Sequence, residues 1–162
     1  MASRRRAREF ALQALCCAEA VDLSASGALT ALWSTLIEGD GIEGVRPAES
    51  EEVEFAQRLA HGVADHRQDL DVLIEECSTN WRVTRMPLVD RNILRIAGFE
   101  LRESPDIPAT VSINEAIELA KRFGGAESRA FVNGLVDRMA RQCGRLPSHG
   151  RGRGRGRGSG KP

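Results

Sequence analysis

The side chains of this sequence best suited to act on another molecule are arginines, and they crowd its two ends. Arg4, Arg5, Arg6 and Arg8 fall within five residues of one another. Guanidiniums so closely spaced can reach several phosphates of one strand. Each neutralised phosphate of a single strand adds about −0.7 to the slope of binding against salt. The placement is unfavourable for a helix, because cations at its N-terminus oppose the dipole. A sequence shaped for stability alone would not put them there. At the other end Arg-Gly repeats four times between Arg151 and Gly158. Glycine keeps those arginines mobile, so the segment suits phosphate contact with little sequence preference. The plain alternatives are a solvated first helical turn and a solubilising tail.

Chemistry of other kinds finds no support. Cys16, Cys17, Cys77 and Cys143 form no CxxC pair, and His61, His66 and His149 lie far from them in sequence, so no metal site is expected. Cys16, Cys17 and Cys77 are expected to be small apolar residues in a reducing compartment. His61 and His66 are five apart, not the four that would align them on one helix face. There is no Gly-rich phosphate loop and no HExxH. Asp90, Glu100 and Asp137 read most simply as surface or ion-pair carboxylates. The sequence therefore predicts no catalytic residue and no cofactor, and a binding protein rather than an enzyme.

Charge says what such a protein would bind. The formal net charge of zero conceals segregation. Residues 1–10 carry four arginines against Glu9, a balance of +3, and residues 141–162 carry six arginines and Lys161 with no acid, a balance of +7. The body between them must then be −10. Basic ends predict contact with a polyanion, and an acidic body predicts a basic partner.

The elements that must position these charges are helices. Apolar residues make up 41% of the chain, but aromatics only 4% with no Tyr, so the core has to be built from Leu, Ile, Val and Ala. Phe10, Ala14, Cys17 and Val21 recur at helical spacing, with Ala11, Leu15 and Ala18 beside them, and predict one amphipathic helix from about Arg4 to Val21. A second is expected over about 25–37, followed by a loop through Gly39, Gly41, Gly44 and Pro47. The acidic run from Glu49 opens a third through Phe55, Leu59 and Val63. A fourth covers about 67–77 with Leu70, Leu73 and Ile74. After a connector containing Trp81, Pro87 sits at the first turn of a fifth helix that reaches about Arg102. Ser112 with Glu115 fits a capping box for a sixth, which could also begin a few residues earlier and stops at Gly124-Gly125. The last, about 127–141, has a broad apolar face through Phe131, Val132, Leu135, Val136 and Met139. That breadth argues against a DNA-reading helix after the turn at Gly124, which would need a polar outer face.

Seven helices and no strand are expected: an all-α bundle over residues 1–143, with 144–162 a disordered basic tail that cannot bury enough surface to offset its ordering entropy. No apolar run approaches the roughly 20 residues of a membrane span. No apolar stretch follows the first arginines, so no signal peptide is expected and the protein is expected in the cytoplasm.

Four ordered strings also resemble one family. They are Arg4-Arg-Arg-Ala-Arg-Glu9 with Ala11-Leu-Gln-Ala-Leu15, Met86-Pro-Leu-Val-Asp-Arg-Asn-Ile-Leu-Arg-Ile-Ala97, Ile113-Asn-Glu-Ala-Ile-Glu-Leu-Ala-Lys121 after Ile107-Pro108, and Phe131-Val-Asn-Gly134. Together, over about residues 4–140, they are similar to the bacterial NusB transcription factors. The resemblance implies a fold of two perpendicular three-helix subdomains. It implies binding to the boxA element of nascent ribosomal RNA, a single strand, jointly with NusE, the free form of a small-subunit ribosomal protein. It also implies that the pair joins the RNA polymerase elongation complex and suppresses premature termination. Arg4, Arg5, Arg6 and Arg8 match the family's RNA-contacting arginines, and Glu127 and Phe131 match positions near the RNA path. Asp90, with Arg91 beside it, matches the partner-protein surface. Cys16 stands where relatives often carry an RNA-facing Tyr. The competing readings are a protein-binding scaffold that forms a homodimer, and a DNA regulator.

Overall fold

The computed structural model describes residues 2–36, 48–79 and 81–148. The expected loop at 39–47 and the Arg-Gly repeat lie outside the described residues. Among those described there are seven α-helices, one 3-10 turn at Val83–Arg85, and no strand.

Helix α1, Arg4–Ala20, begins where the Ser3 hydroxyl accepts the Arg6 N–H at 3.2 Å. This N-cap supplies an acceptor for one of the four unpaired amides of the first turn. The buried stripe is Ala7, Phe10, Ala11, Ala14, Leu15 and Ala18. Two residues expected on that stripe are not there: Cys17 is exposed and Val21 lies past the helix end, 59% exposed. The chain turns at Asp22, whose φ is 55°, and enters α2, Ala25–Leu36.

Helix α3, Ser50–Asp65, has Glu49 at its N-cap, and the Glu49 N–H donates to Glu52 Oε2 at 3.1 Å. Where a Cβ would stand on Gly62 in this helix, the ring of Phe99 lies 2.2 Å away. Glycine there lets α3 close onto α5. Helix α4, Arg67–Ser78, buries Leu70, Leu73, Ile74 and Cys77.

Helix α5, Leu88–Glu103, is the axis of the molecule: every residue from Asn92 to Leu101 is buried. It packs on α1, α3, α4, α6 and α7. Helix α6, Ala109–Phe123, starts directly after Pro108, so the expected capping box at Ser112 is absent. Pro108 can precede a helix without losing a needed donor, and Ser112 is already inside it. The Ser112 hydroxyl instead donates to Glu100 Oε2 at 2.7 Å. Helix α7, Ser128–Gln142, buries Val132, Leu135, Val136 and Met139 as its breadth of apolar residues predicts.

Helices α1, α2 and α3 pack mutually, as do α5, α6 and α7, while α4 lies against α3, α5 and α7. The two three-helix groups are thus present, and one continuous core runs through both. Past α7 the chain returns to the body, where Arg145 donates to the Leu101 carbonyl at 2.8 Å and to the Ile107 carbonyl at 2.6 Å.

One buried ion pair locks three of these helices. Arg8 Nε of α1 meets Glu100 Oε1 of α5 at 2.6 Å, with the two side chains 4% and 1% exposed, while Ser112 of α6 holds the other oxygen. Removing one member leaves a buried charge without compensation. Glu100→Ala is therefore expected to lower the free energy of unfolding by about 3–5 kcal/mol in urea titrations. A loss below about 1 kcal/mol, the range of an exposed pair, would show that the pair does not hold α1.

Candidate nucleic-acid interface

The four arginines at the start of α1 do not share one environment. Arg8 lies one turn after Arg4 and only about 40° around the helix from it, so both reach the Phe55 ring, but Arg4 stands at the open end of α1 while Arg8, a turn deeper, enters the interface with α5 and α6. Arg4 and Arg5 are exposed, Arg6 is half-buried and Arg8 is buried. Arg8 is bonded to Glu100, approaches Glu115 at 4.0 Å, and has its guanidinium 5.3 Å from the centre of the Phe55 ring. In this conformation it can meet a phosphate only by breaking those contacts. Arg6 reaches Glu52 Oε2 at 3.2 Å and lies over Phe10.

The exposed pair is held but accessible. Arg5 makes two parallel bonds to Glu115, each 3.1 Å, yet its side chain remains 56% exposed. The hydrogen bond to Glu115, and then its charge, raise the Arg5 pKa above its ordinary value, so the group is always cationic. Arg4 lies 5.1 Å over the Phe55 ring and, among the described residues, has no acidic partner. Such a contact lets a guanidinium present its N–H fork outward while its flat face is covered.

Glu52 sets the pose of this turn. It is 1% exposed and accepts the Ser3 N–H at 2.8 Å on one oxygen, and the Glu49 N–H and Arg6 on the other. One buried carboxylate thus satisfies amides at the starts of both α1 and α3. The acidic run at 49–54 foretold a helix start, but not that Glu52 would serve two helices.

The residues matched to the family's last-helix RNA path stand at the start of α7. Glu127 is the exposed N-cap of α7. Phe131 is half-buried, packing on the core with part of its ring outward. Its neighbour is Trp81, with ring centres 5.7 Å apart and planes inclined at 46°. Its sequence context places Trp81 in a connector. A Trp in a short polar linker was the only signal it gave.

Asp90 and Arg91 also separate. Asp90 is 4% exposed in the first turn of α5, and its Oδ1 has no hydrogen-bond partner among the described residues. Arg91 is engaged, with Nη2 2.7 Å from Glu19 Oε1 and Nη1 2.8 Å from the Met86 carbonyl. It belongs to a polar network in which Glu19 also receives Asn92, Arg95 and Arg67, and Arg95 in turn holds Asp71. Burial pushes the Glu19 carboxyl up, but the bonds from Arg91 and Asn92 and the charge of Arg95 outweigh it and hold the pKa below its ordinary value of 4.5.

Cys16 is half-buried beside this network, and burial first, then Glu19, raises its thiol to about 11. It is therefore a neutral thiol at physiological pH, unsuited to nucleophilic or redox chemistry. Among the described residues no group of three or more His, Cys, Asp or Glu could hold a metal. No described helix is long and apolar enough to cross a membrane.

Comparison with known proteins places this geometry in context. The model of the NusB family matches residues 5–141. The transcription antitermination protein NusB of Myxococcus xanthus is 49% identical over 140 residues, spanning 86% of this chain and 96% of the relative. That of Desulforapulum autotrophicum is 47% identical, spanning 86% and 92%. The structure of T. maritima NusB superposes with a TM-score of 0.76 at 35% identity, covering 88% of this chain and 94% of the other. A structure of the antitermination factors NusB and NusE in complex with dsRNA gives a TM-score of 0.69 over 86% of this chain and 96% of the other. At 19% identity that likeness shows the fold alone.

The Glu19 network generates a pH prediction. A carboxyl held below its unfolded pKa contributes stability that is complete above that value and lost as pH falls through the folded one. Glu19→Gln should therefore lower the melting temperature at pH 7. Its gap from the parent should close as pH drops below 4.5, the ordinary Glu19 value. Melting curves across pH 3–7 check this, and a gap constant with pH would rule out the carboxylate charge as its source.

Proposed function

The chain belongs to the NusB family, and on that premise we propose that it is a transcription antitermination factor binding the boxA element of nascent ribosomal RNA jointly with NusE. In this reading the pair joins the RNA polymerase elongation complex in the cytoplasm and suppresses premature termination. The relatives are named for transcription antitermination and not for any enzymatic activity. The observation that carries the proposal is the first turn of α1. Two exposed guanidiniums, Arg4 and Arg5, stand side by side on a turn fixed from beneath by Glu52 and Glu100.

Phosphate contacts come from Arg4, Arg5 and the outer edge of Arg6, with Arg8 keeping the helix in register beneath them. Glu127 and Phe131 extend the surface to α7. Contacts to unpaired bases supply specificity, since sequence-specific RNA recognition targets single strands whose base edges are open. The Arg-Gly tail adds cations that raise local encounter with the transcript.

The acidic body, −10 over residues 11–140, suits a basic ribosomal protein. Asp90 enters that side of the reading through the family match: it is 4% exposed, so a donor of NusE reaches its Oδ1 only if the first turn of α5 shifts. Arg91 orients this region through Glu19 and the Met86 carbonyl.

Four measurements test the proposal, with a boxA-type single-stranded RNA as the ligand. Arg4→Ala with Arg5→Ala should weaken binding and lower the magnitude of the salt slope by about 1.4, for two phosphates lost from a single strand. An unchanged slope would remove these residues from the interface. A chain ending at Ser148 should bind more weakly than the full chain, with a shallower slope. Equal or stronger binding of the parent to duplex DNA would replace the RNA reading by that of a DNA regulator. A homodimer that buries the α1 arginines with or without RNA in size-exclusion runs would replace it by a scaffold.

A further inference from the structure

Five large apolar residues are exposed among those described, Val21, Leu23, Val72, Trp81 and Val111, and Trp81 is the aromatic one, 53% exposed. An indole left half in water while packed on a second ring needs a reason, because its burial elsewhere would stabilise the fold. We infer that Trp81 and Phe131 form a preformed platform on which an unpaired base of single-stranded RNA stacks. The inference rests on the RNA-binding reading above and adds to it a ring from the α4–α5 connector.

The platform is built, not incidental. Phe131 is rooted in the core by its position on α7 and offers only part of its ring. Trp81 leans on it at 5.7 Å. The connector is held in turn, since the Ser78 hydroxyl donates to the Trp81 carbonyl at 2.6 Å. Thr79 has a φ of 53°, a left-handed conformation rare for a β-branched residue, and it reverses the chain directly after α4. Arg138 of α7 donates to the Cys77 carbonyl at the end of α4 at 2.8 Å, which joins the two elements that carry the rings. The rings are thus ordered before any ligand arrives, and little further entropy is lost on stacking.

The surrounding charge selects the occupant. Arg82 and Arg85 follow Trp81, and Arg129 precedes Phe131; all three are exposed and, among the described residues, have no carboxylate partner. The nearby carboxylates are mostly engaged with the chain itself. Glu75 accepts the Val83 N–H, Glu76 accepts Gln142, and Asp137 pairs with Arg141. Stacking rings beside unpaired guanidiniums fit a base with its phosphates. In a duplex the base faces are already covered, so a single strand is the form that fits.

Fluorescence and mutation test this directly, with the full chain and a boxA-type single-stranded RNA. In a Trp33→Phe background Trp81 is the sole indole, and its emission should be quenched as RNA is added. Trp81→Ala should weaken RNA binding about tenfold while leaving the salt slope unchanged, because stacking releases no counterions. Trp81→Phe should recover most of the loss. An unchanged melting temperature for Trp81→Ala, expected of an exposed side chain, shows that the fold is intact. RNA binding by Trp81→Ala equal to the parent, with no quenching in the Trp33→Phe background, overturns the platform and leaves the RNA reading standing. Failure of the parent to bind RNA at all overturns both. If Trp81→Ala loses affinity for NusE but not for RNA, the platform is a protein contact and the inference falls.

Discussion

Burying a carboxylate is tolerable only when positive charge or hydrogen-bond donors are buried with it, and this molecule is organised around two such groups. Glu100 takes Arg8 on one oxygen and Ser112 on the other, so that α1 and α6 are both tied to the central helix α5. Glu52 takes the Ser3 amide, the Glu49 amide and Arg6, so that the first turns of α1 and α3 are held together. Neither set can slide by a residue without leaving a charge unpaired in the interior. The depth of the N-terminal arginines follows from that constraint: Arg8 is anchored between the helices, while Arg4 and Arg5, nearer the open end of α1, remain exposed.

A basic first turn opposes the helix dipole, yet this one is stable because its cations are individually answered. Arg5 has Glu115, Arg6 has Glu52, Arg8 has Glu100, and Arg4 has the face of Phe55. The answers differ in depth, and that difference separates function from support. A phosphate can compete for a guanidinium that itself stays largely in water, as Arg5 does at 56% exposed, because an ion pair there is worth little. It cannot compete cheaply for one buried together with its partner, as Arg8 is with Glu100. The same logic applies at the opposite end of α1, where Glu19 gathers Arg67, Arg91, Asn92 and Arg95. Those arginines on an acidic body brace helices, while Asp90, next to Arg91 in the chain, has one oxygen without a donor among the described residues.

Much of the architecture was legible from periodicity and punctuation. The apolar spacing of α4, α5 and α7 and the stops at Ser104-Pro105 and Gly124 put those helices within a residue or two of where they lie. Ends governed by competing signals were harder. Ser112 and Glu115 have the spacing of a capping box, but Pro108 had already started the helix, and both side chains turn to Glu100 and Arg5 instead. On α1, Phe10, Ala14, Cys17 and Val21 made one apolar series. The buried series keeps Phe10 and Ala14 with Ala11, Leu15 and Ala18 beside them and adds Ala7, while Cys17 and Val21 fall outside it.

What the sequence determined by itself was the list of elements, the segregation of charge and the family, since each depends on residue types and their spacing along one chain. It could name four arginines but not rank them. Their exposure depends on Glu52, Glu100 and Glu115, which are 46 to 110 residues away in the chain. Nor could it join Trp81 to Phe131, which belong to different elements and meet only when α4 and α7 pack. Local sequence fixes the turn of a helix and hence its faces. Which face meets solvent, and which charge meets its opposite, is settled only when distant segments exclude water between them.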